Sequence, residues 1–309
     1  MYSAPRWRMI RANRPAARAA DFVPFAWQGF QLQVPSDWDL SAASGDYDTG
    51  YCRLDDETMP RLEIKWRGGL RTKGASSLTD RFLKDARLNR KGSPVRIKRD
   101  TALAEVPDAD CECFFTCGET DAVHMAVCCS VCGRASMLRV IQRPGDTSHA
   151  IARRILQSFR DHPSDDWMPW AILGFSLATP KEFRLKNHRF EAGRLQMDFA
   201  ARRRSASAVR LGLARTALRG TTLLDWARRD PLGVWPGKRL AFELSEHQGR
   251  PAVLVSGARR RLLRRRAMRG IVWLCEEENA LYLATWQSHP RDLNLFQRFA
   301  DSFELPYPE

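Results

Sequence analysis

One segment of this chain comes back 145 positions further on, and that recurrence limits the possible folds more than any other feature. Gly29, Phe30, Leu32, Pro35, Trp38 and Leu40 return in kind as Gly174, Phe175, Leu177, Pro180, Phe183 and Leu185. The same offset carries Leu78, Asp80 and Asp85 onto Leu223, Asp225 and Asp230. An offset of 144 carries Ile151, Ile155, Ser158 and Phe159 onto Leu295, Phe299, Ser302 and Phe303. Agreement at the start, middle and end of each half, in order, is the mark of a tandem duplication. A length of 309 residues suits two domains of ordinary size.

Each half reads alike by periodicity. A short strand ends at Pro35 or Pro180, since proline has no N–H to extend a ladder. Alternating apolar positions follow: Leu62, Ile64 and Trp66 in the first half, Val209, Leu211 and Leu213 in the second. Amphipathic helices are expected over 77–89 and 221–230. Three hairpin-linked strands come next, over 110–117, 125–132 and 135–142, then 251–256, 270–275 and 280–286. A closing helix carries Ile151, Ile155, Leu156 and Phe159 on one face. The expected class is α+β, two tandem copies of an antiparallel-sheet α/β/α sandwich over 27–163 and 170–306. The polar stretch from His162 to Pro169 divides them.

The entry motif Gly-Phe-x-Leu-x-x-Pro-x-x-aromatic-x-Leu, with a closing helix ending Ile155-Leu156-Gln157-Ser158-Phe159, resembles the PsbP-like superfamily. That superfamily also holds a Ran-binding import factor and DcrB-type proteins. The resemblance spans nearly all of both halves and implies a small sandwich that binds other proteins, usually without catalysis. Its motifs are packing motifs, so no functional residue carries over.

Residues 1–26 hold Arg6, Arg8, Arg11, Arg14 and Arg18 without an apolar middle, and read as a basic disordered leader on a cytoplasmic protein. No apolar run reaches the ~20 residues of a membrane span. Phosphate-cradling glycine loops, zinc-protease helices and serine nucleophile elbows have no match in the sequence. The acidic pairs Asp55-Asp56 and Asp165-Asp166 read as solvated turns, and the repeated aspartates Asp80/Asp225 and Asp85/Asp230 as scaffold.

Six of eight cysteines fall between Cys111 and Cys132. Cys129-Ser-Val-Cys132-Gly133 has the spacing of a zinc knuckle, and hairpin pairing would bring Cys111 and Cys113 beside it. The expected Zn²⁺ quartet is Cys111, Cys113, Cys129 and Cys132, with His124 held open as a companion and Cys117 excluded by distance. Two other readings stay open: cysteines as small buried residues, and a redox Cys129/Cys132 pair. The aligned second half supports packing, with Arg250, Ala252, Ser256, Val272 and Trp273 in place of five of them.

Charge is local. Residues 199–271 carry seventeen arginines and one lysine against four acids, a net +14 that equals the formal charge of the whole chain. The densest part, Gly257 to Gly270, is expected as a hairpin loop bearing Arg259, Arg260, Arg261, Arg264, Arg265, Arg266 and Arg269. Guanidinium forks suit phosphate and carboxylate. An exposed loop also tolerates charge freely, so a merely solvated loop competes with anion binding.

The residues together point to a non-enzymatic binding or scaffold protein whose second copy engages an acidic partner, nucleic acid or an acidic protein surface, with no membrane. The alternatives are a thiolate zinc or redox protein, and an enzyme acting on an anionic substrate between the copies.

Overall fold

The computed structural model describes residues 21–69, 74–88, 96–99, 103–118, 120–144, 149–163, 165–235, 239–261, 264–290 and 294–303. The chain divides into two compact units, the first running to Gly174 and the second from Phe175. Residues 1–20 of the expected leader lie outside the described residues. Its last part is not a leader: Phe22–Trp27 form β1, because Phe25, Ala26 and Trp27 are apolar and buried.

In the first unit β1 pairs antiparallel with β2 (Phe30–Pro35), which pairs with the short β10 (Arg160–Asp161). β11 (Trp167–Ile172) pairs with β1, Ala26 opposite Ala171. The stretch expected to separate two domains thus runs into a strand of this unit.

A second sheet has seven antiparallel strands in the order β3-β4-β5-β9-β8-β7-β6. These are Asp39–Gly45, Thr49–Asp55, Pro60–Arg67, Ala135–Ile141, Ala122–Cys129, Ala109–Cys117 and Arg96–Arg99. Phe114, Ala126 and Met137 meet Leu83, Leu78 and Phe82 of α1 (Ala75–Leu88). On β5 and β9, Leu62, Ile64 and Trp66 lie opposite Val140, Leu138 and Ser136. Trp66 meets Phe30 at 5.3 Å between ring centroids, and Phe30 stacks on Phe159 at 6.0 Å, just beyond α2 (Ala150–Gln157).

The second unit is built on a sheet of the same size. Its seven-stranded antiparallel sheet runs β13-β14-β15-β19-β18-β17-β16. The strands are Arg184–Glu191, Arg194–Ala201, Arg204–Gly212, Ala280–Ser288, Arg264–Cys275, Arg250–Arg261 and Leu240–His247. Position by position, the sequence order of neighbours matches that of the first unit. β12 (Phe175–Pro180) ends at its proline as β2 does. The helix expected over 221–230 is α4 (Leu223–Arg229), preceded by the short α3 (Ala214–Ala217); α5 (Asn294–Asp301) closes the unit. Leu213, expected in a strand, is an exposed left-handed residue that starts α3 (φ 59°).

One polar detail recurs in both units. The hydroxyl of Ser158 accepts from the Gln33 N–H at 2.8 Å, and that of Ser302 accepts from the Ala178 N–H at 2.9 Å. Each serine ties its closing helix to the strand that ends at Pro35 or Pro180. No helix among the described residues is long and apolar enough to cross a membrane.

Candidate functional site

The arginine segment is not a loop. β17 and β18 stay paired from Ala252↔Trp273 out to Arg261↔Arg264, so Gly257 and Gly270 lie inside strands rather than at the ends of a connection. The ladder to β16 stops at Leu240↔Gly257, and the ladder to β19 stops at Ala267↔Ser288. From Ala258 to Arg266 each strand therefore has only the other for a neighbour among the described pairs, a two-stranded ribbon running past the sheet. Its register sets Arg259 opposite Arg266, Arg260 opposite Arg265 and Arg261 opposite Arg264. Like charges directly opposite one another disfavour a strand pair. Arg266 and Arg269 are exposed, and the cross-strand neighbours of Arg269 are Ser256 and Trp286, neither of them acidic.

Two other arginines of the second unit have acidic partners. Arg204 pairs with Glu182 at 2.6 Å and Arg210 with Glu278 at 3.1 Å. At the base of the ribbon the packing is tight: a Cβ on Gly270 would lie 2.4 Å from the Trp235 ring. Glycine is required there so that the buried Trp235 can lie against the strand.

The expected cysteine quartet does not assemble. Cys111 lies opposite Val127 and Cys113 opposite Met125 on the β7–β8 ladder, and the Cys111 thiol donates to the Ala104 carbonyl at 3.4 Å. Cys113 is fully buried within the sheet, and Cys117, at the other end of β7, is exposed. Among the described residues His124 belongs to no metal-ligand cluster: it is buried, shares a hydrogen bond with Thr116 at 2.9 Å and stacks on Phe114 at 4.6 Å.

Cys129 and Cys132 are brought together, but with Asp161 and His162. The ligand atoms of these four side chains all lie within 4.8 Å of one another. Cys129 ends β8, and the turn to β9 is closed by Gly133 N–H donating to the Cys129 carbonyl at 3.1 Å. Gly133 is left-handed (φ 68°), the conformation glycine adopts without a Cβ clash. Asp161 ends β10 and His162 follows it, so the β10–β2 pairing delivers both to the β8–β9 turn.

Within the cluster the Cys129 sulfur lies 3.5 Å from His162 Nδ1, and the Cys132 thiol donates to Asp161 Oδ2 at 3.0 Å. The other carboxylate oxygen, Oδ1, accepts from Arg134. Arg134 is buried and fixed in turn by the Gln28 carbonyl at 2.7 Å, with its guanidinium over the Tyr47 ring. Burial and the Asp161 carboxylate push the Cys132 thiol up to about 12. Sequence reasoning missed Asp161 and His162 because no local spacing links them to Cys132; only the pairing of a two-residue strand does.

The aspartates matched at the 145-residue offset meet different partners in the fold. Asp225 lies in the first turn of α4, where Thr222 caps the helix by accepting its N–H, and Asp230 ends that helix with its carboxylate on the N–H groups of Val234 and Trp235. Asp80 pairs with Arg99 at the surface.

No protein-family model and no curated protein matches the chain. Among solved structures it is similar to PA94, a Pseudomonas aeruginosa protein of unknown function, at 17% identity over 47% of this chain and 100% of that one, with a TM-score of 0.27. It is similar to a chain of the Tle4-Tli4 complex at 13% identity over 92% of this chain and 97% of that one, with a TM-score of 0.36. A third likeness is to TplEi, an immunity protein of the Pseudomonas aeruginosa T6SS solved with a peptide, at 13% identity over 92% of this chain and 98% of that one, TM-score 0.33. Scores this low carry no functional argument.

Proposed function

We propose that this is a non-enzymatic binding protein, two copies of one α/β/α sandwich, whose second copy grips a polyanion through the ribbon of β17 and β18. The observation that carries the reading is the register of that ribbon. Arginine opposite arginine at three successive positions, beyond the support of either neighbouring strand, is unfavourable for the free protein and becomes favourable when an anion lies along it. Shared strand order and the matching serine hydrogen bonds support the duplication.

Nucleic acid is the polyanion that fits best. A two-stranded ribbon has the dimensions of elements that enter a groove, and guanidinium forks match phosphate oxygens. The segment from Gly257 to Gly270 holds no aromatic residue, so its contacts fall on the phosphate backbone rather than on stacked bases. Sequence preference is therefore weak.

The test is retention of the full chain on immobilised duplex DNA and RNA at low salt, beside a variant with Arg264, Arg265 and Arg266 replaced by Ala. Retention of the wild type and loss in the variant support the reading. Wild-type protein that ignores nucleic acid while binding an acidic protein would transfer the ribbon to that other class of partner.

A further inference from the structure

We propose that Cys129, Cys132, Asp161 and His162 form a four-ligand site for a zinc-class divalent cation in the first unit, independent of the arginine ribbon. Tetrahedral zinc with sulfur at ~2.3 Å and nitrogen or oxygen at ~2.0–2.2 Å sets ligand-to-ligand edges of about 3.5 Å. The Cys129 sulfur and His162 Nδ1 are already separated by 3.5 Å. The Cys132 sulfur and Asp161 Oδ2, at 3.0 Å, need to part by about half an ångström as a cation replaces the thiol proton between them.

Three further features fit a cation. The Cys132 N–H points at the Cys129 sulfur at 3.5 Å, the backbone-to-sulfur contact that favours a thiolate in a tight turn. Arg134 occupies only Oδ1 of Asp161, so it orients the carboxylate and leaves Oδ2 free to ligate, as an outer partner does in metal sites. The charges also close: two thiolates and a carboxylate against a dication and the Arg134 guanidinium sum to zero, which an interior as closed as that of Arg134 and Asp161 requires. The thiol protons leave to solvent on binding.

Donor chemistry selects the metal class. Two sulfurs and an imidazole suit Zn²⁺ and disfavour Mg²⁺ and Ca²⁺, which take oxygen. Nor does the fold need cysteine at this turn, since the turn that follows β18 in the second unit is Glu276-Glu277-Glu278-Asn279.

The full chain, reduced and stripped of metal with a chelator, is titrated with Co²⁺ and then Zn²⁺. The expected result is one equivalent of Co²⁺ per chain, with thiolate-to-cobalt charge-transfer absorption and tetrahedral d–d bands that Zn²⁺ abolishes. Cys132→Ser and His162→Asn should each weaken Co²⁺ binding by at least about tenfold, whereas Cys111→Ser/Cys113→Ser should keep it. His162 is partly exposed but left-handed (φ 47°), so His162→Asn, which tolerates that conformation and lacks the imidazole, keeps the test sound if another variant fails to fold, with circular dichroism as the check. Wild-type protein without the charge-transfer spectrum overturns the site. So does binding that survives His162→Asn unchanged, or that is lost in the Cys111/Cys113 variant.

Discussion

Asp56 Oδ2 lies 2.8 Å from Arg61 Nη1, and both side chains are almost entirely withdrawn from water. In sequence Asp55-Asp56 resembles a solvated turn; in the fold the second aspartate organises the β4–β5 connection from inside. Its Oδ1 accepts from the N–H groups of Thr58 and Met59 at 2.7 and 3.0 Å, and Arg143 adds a second guanidinium on Oδ2. Removing one partner of such a pair leaves a buried charge uncompensated. Arg61→Ala should therefore lower unfolding stability by about 3–5 kcal/mol in urea titration. Arg143, half exposed, should cost no more than about 1 kcal/mol when replaced by Ala. Equal losses in the two variants would refute this ranking.

The same carboxyl fixes a pH response. Burial pushes Asp56 up, but the hydrogen bonds from Arg61, Thr58 and Arg143 outweigh it and hold the group well below the usual carboxylate range. A carboxyl depressed in the folded state adds stability that is complete above its unfolded value of about 3.9 and is lost as pH falls toward the folded one. Asp56→Asn should be less stable than wild type at neutral pH and should flatten the decline of stability below about pH 4. Parallel curves for the two proteins would contradict the assignment.

Gly270→Ala tests the packing under the ribbon. The added methyl meets the Trp235 ring, and that ring is held by its Nε1 donating to the Ala227 carbonyl at 2.9 Å. Overpacking a closed core costs about 1–3 kcal/mol, so the melting temperature should drop and tryptophan fluorescence should shift. An unchanged melt would show that Trp235 moves freely.

Asp230→Ala should lower stability by about 1–2 kcal/mol, because two backbone N–H groups lose their acceptor and alanine is strained at a φ of 47°. Asp230→Asn, which tolerates the left-handed conformation and keeps one carbonyl oxygen, should lose less. Thermal melts of both variants decide it, and an order reversed from this one would contradict the structural role of the repeated aspartate.

Much of this architecture is legible in the sequence, for physical reasons. Helices α1, α2, α4 and α5 announce themselves by apolar spacing, and prolines at 35 and 180 mark strand ends. The hairpin of β3 and β4 was not visible, because Asp39–Gly45 is small and polar and takes its stability from its ladder partner rather than from its own pattern. The arginine ribbon reads as a loop for a related reason. A run of identical charges has no period of two, so nothing local reports that Arg259 will pair with Arg266. Of the candidate site, Cys129 and Cys132 are visible in their spacing, whereas Asp161 and His162 arrive through β10, a strand too short to leave a periodic signal.

The salt dependence of nucleic-acid binding tests the central claim most directly. Each arginine that neutralises a phosphate releases condensed counterions, giving a log–log slope of affinity against salt of about −0.7 to −0.9 per contact. Wild-type protein should bind duplex and single strands of unrelated sequence with similar affinity and a steep negative slope. The Arg264/Arg265/Arg266→Ala variant should fold normally, bind more weakly to all of them and show a slope flatter by about two to three units. An affinity that does not change with salt, or a variant with the slope of the wild type, would contradict the assignment of the ribbon as the polyanion-binding element.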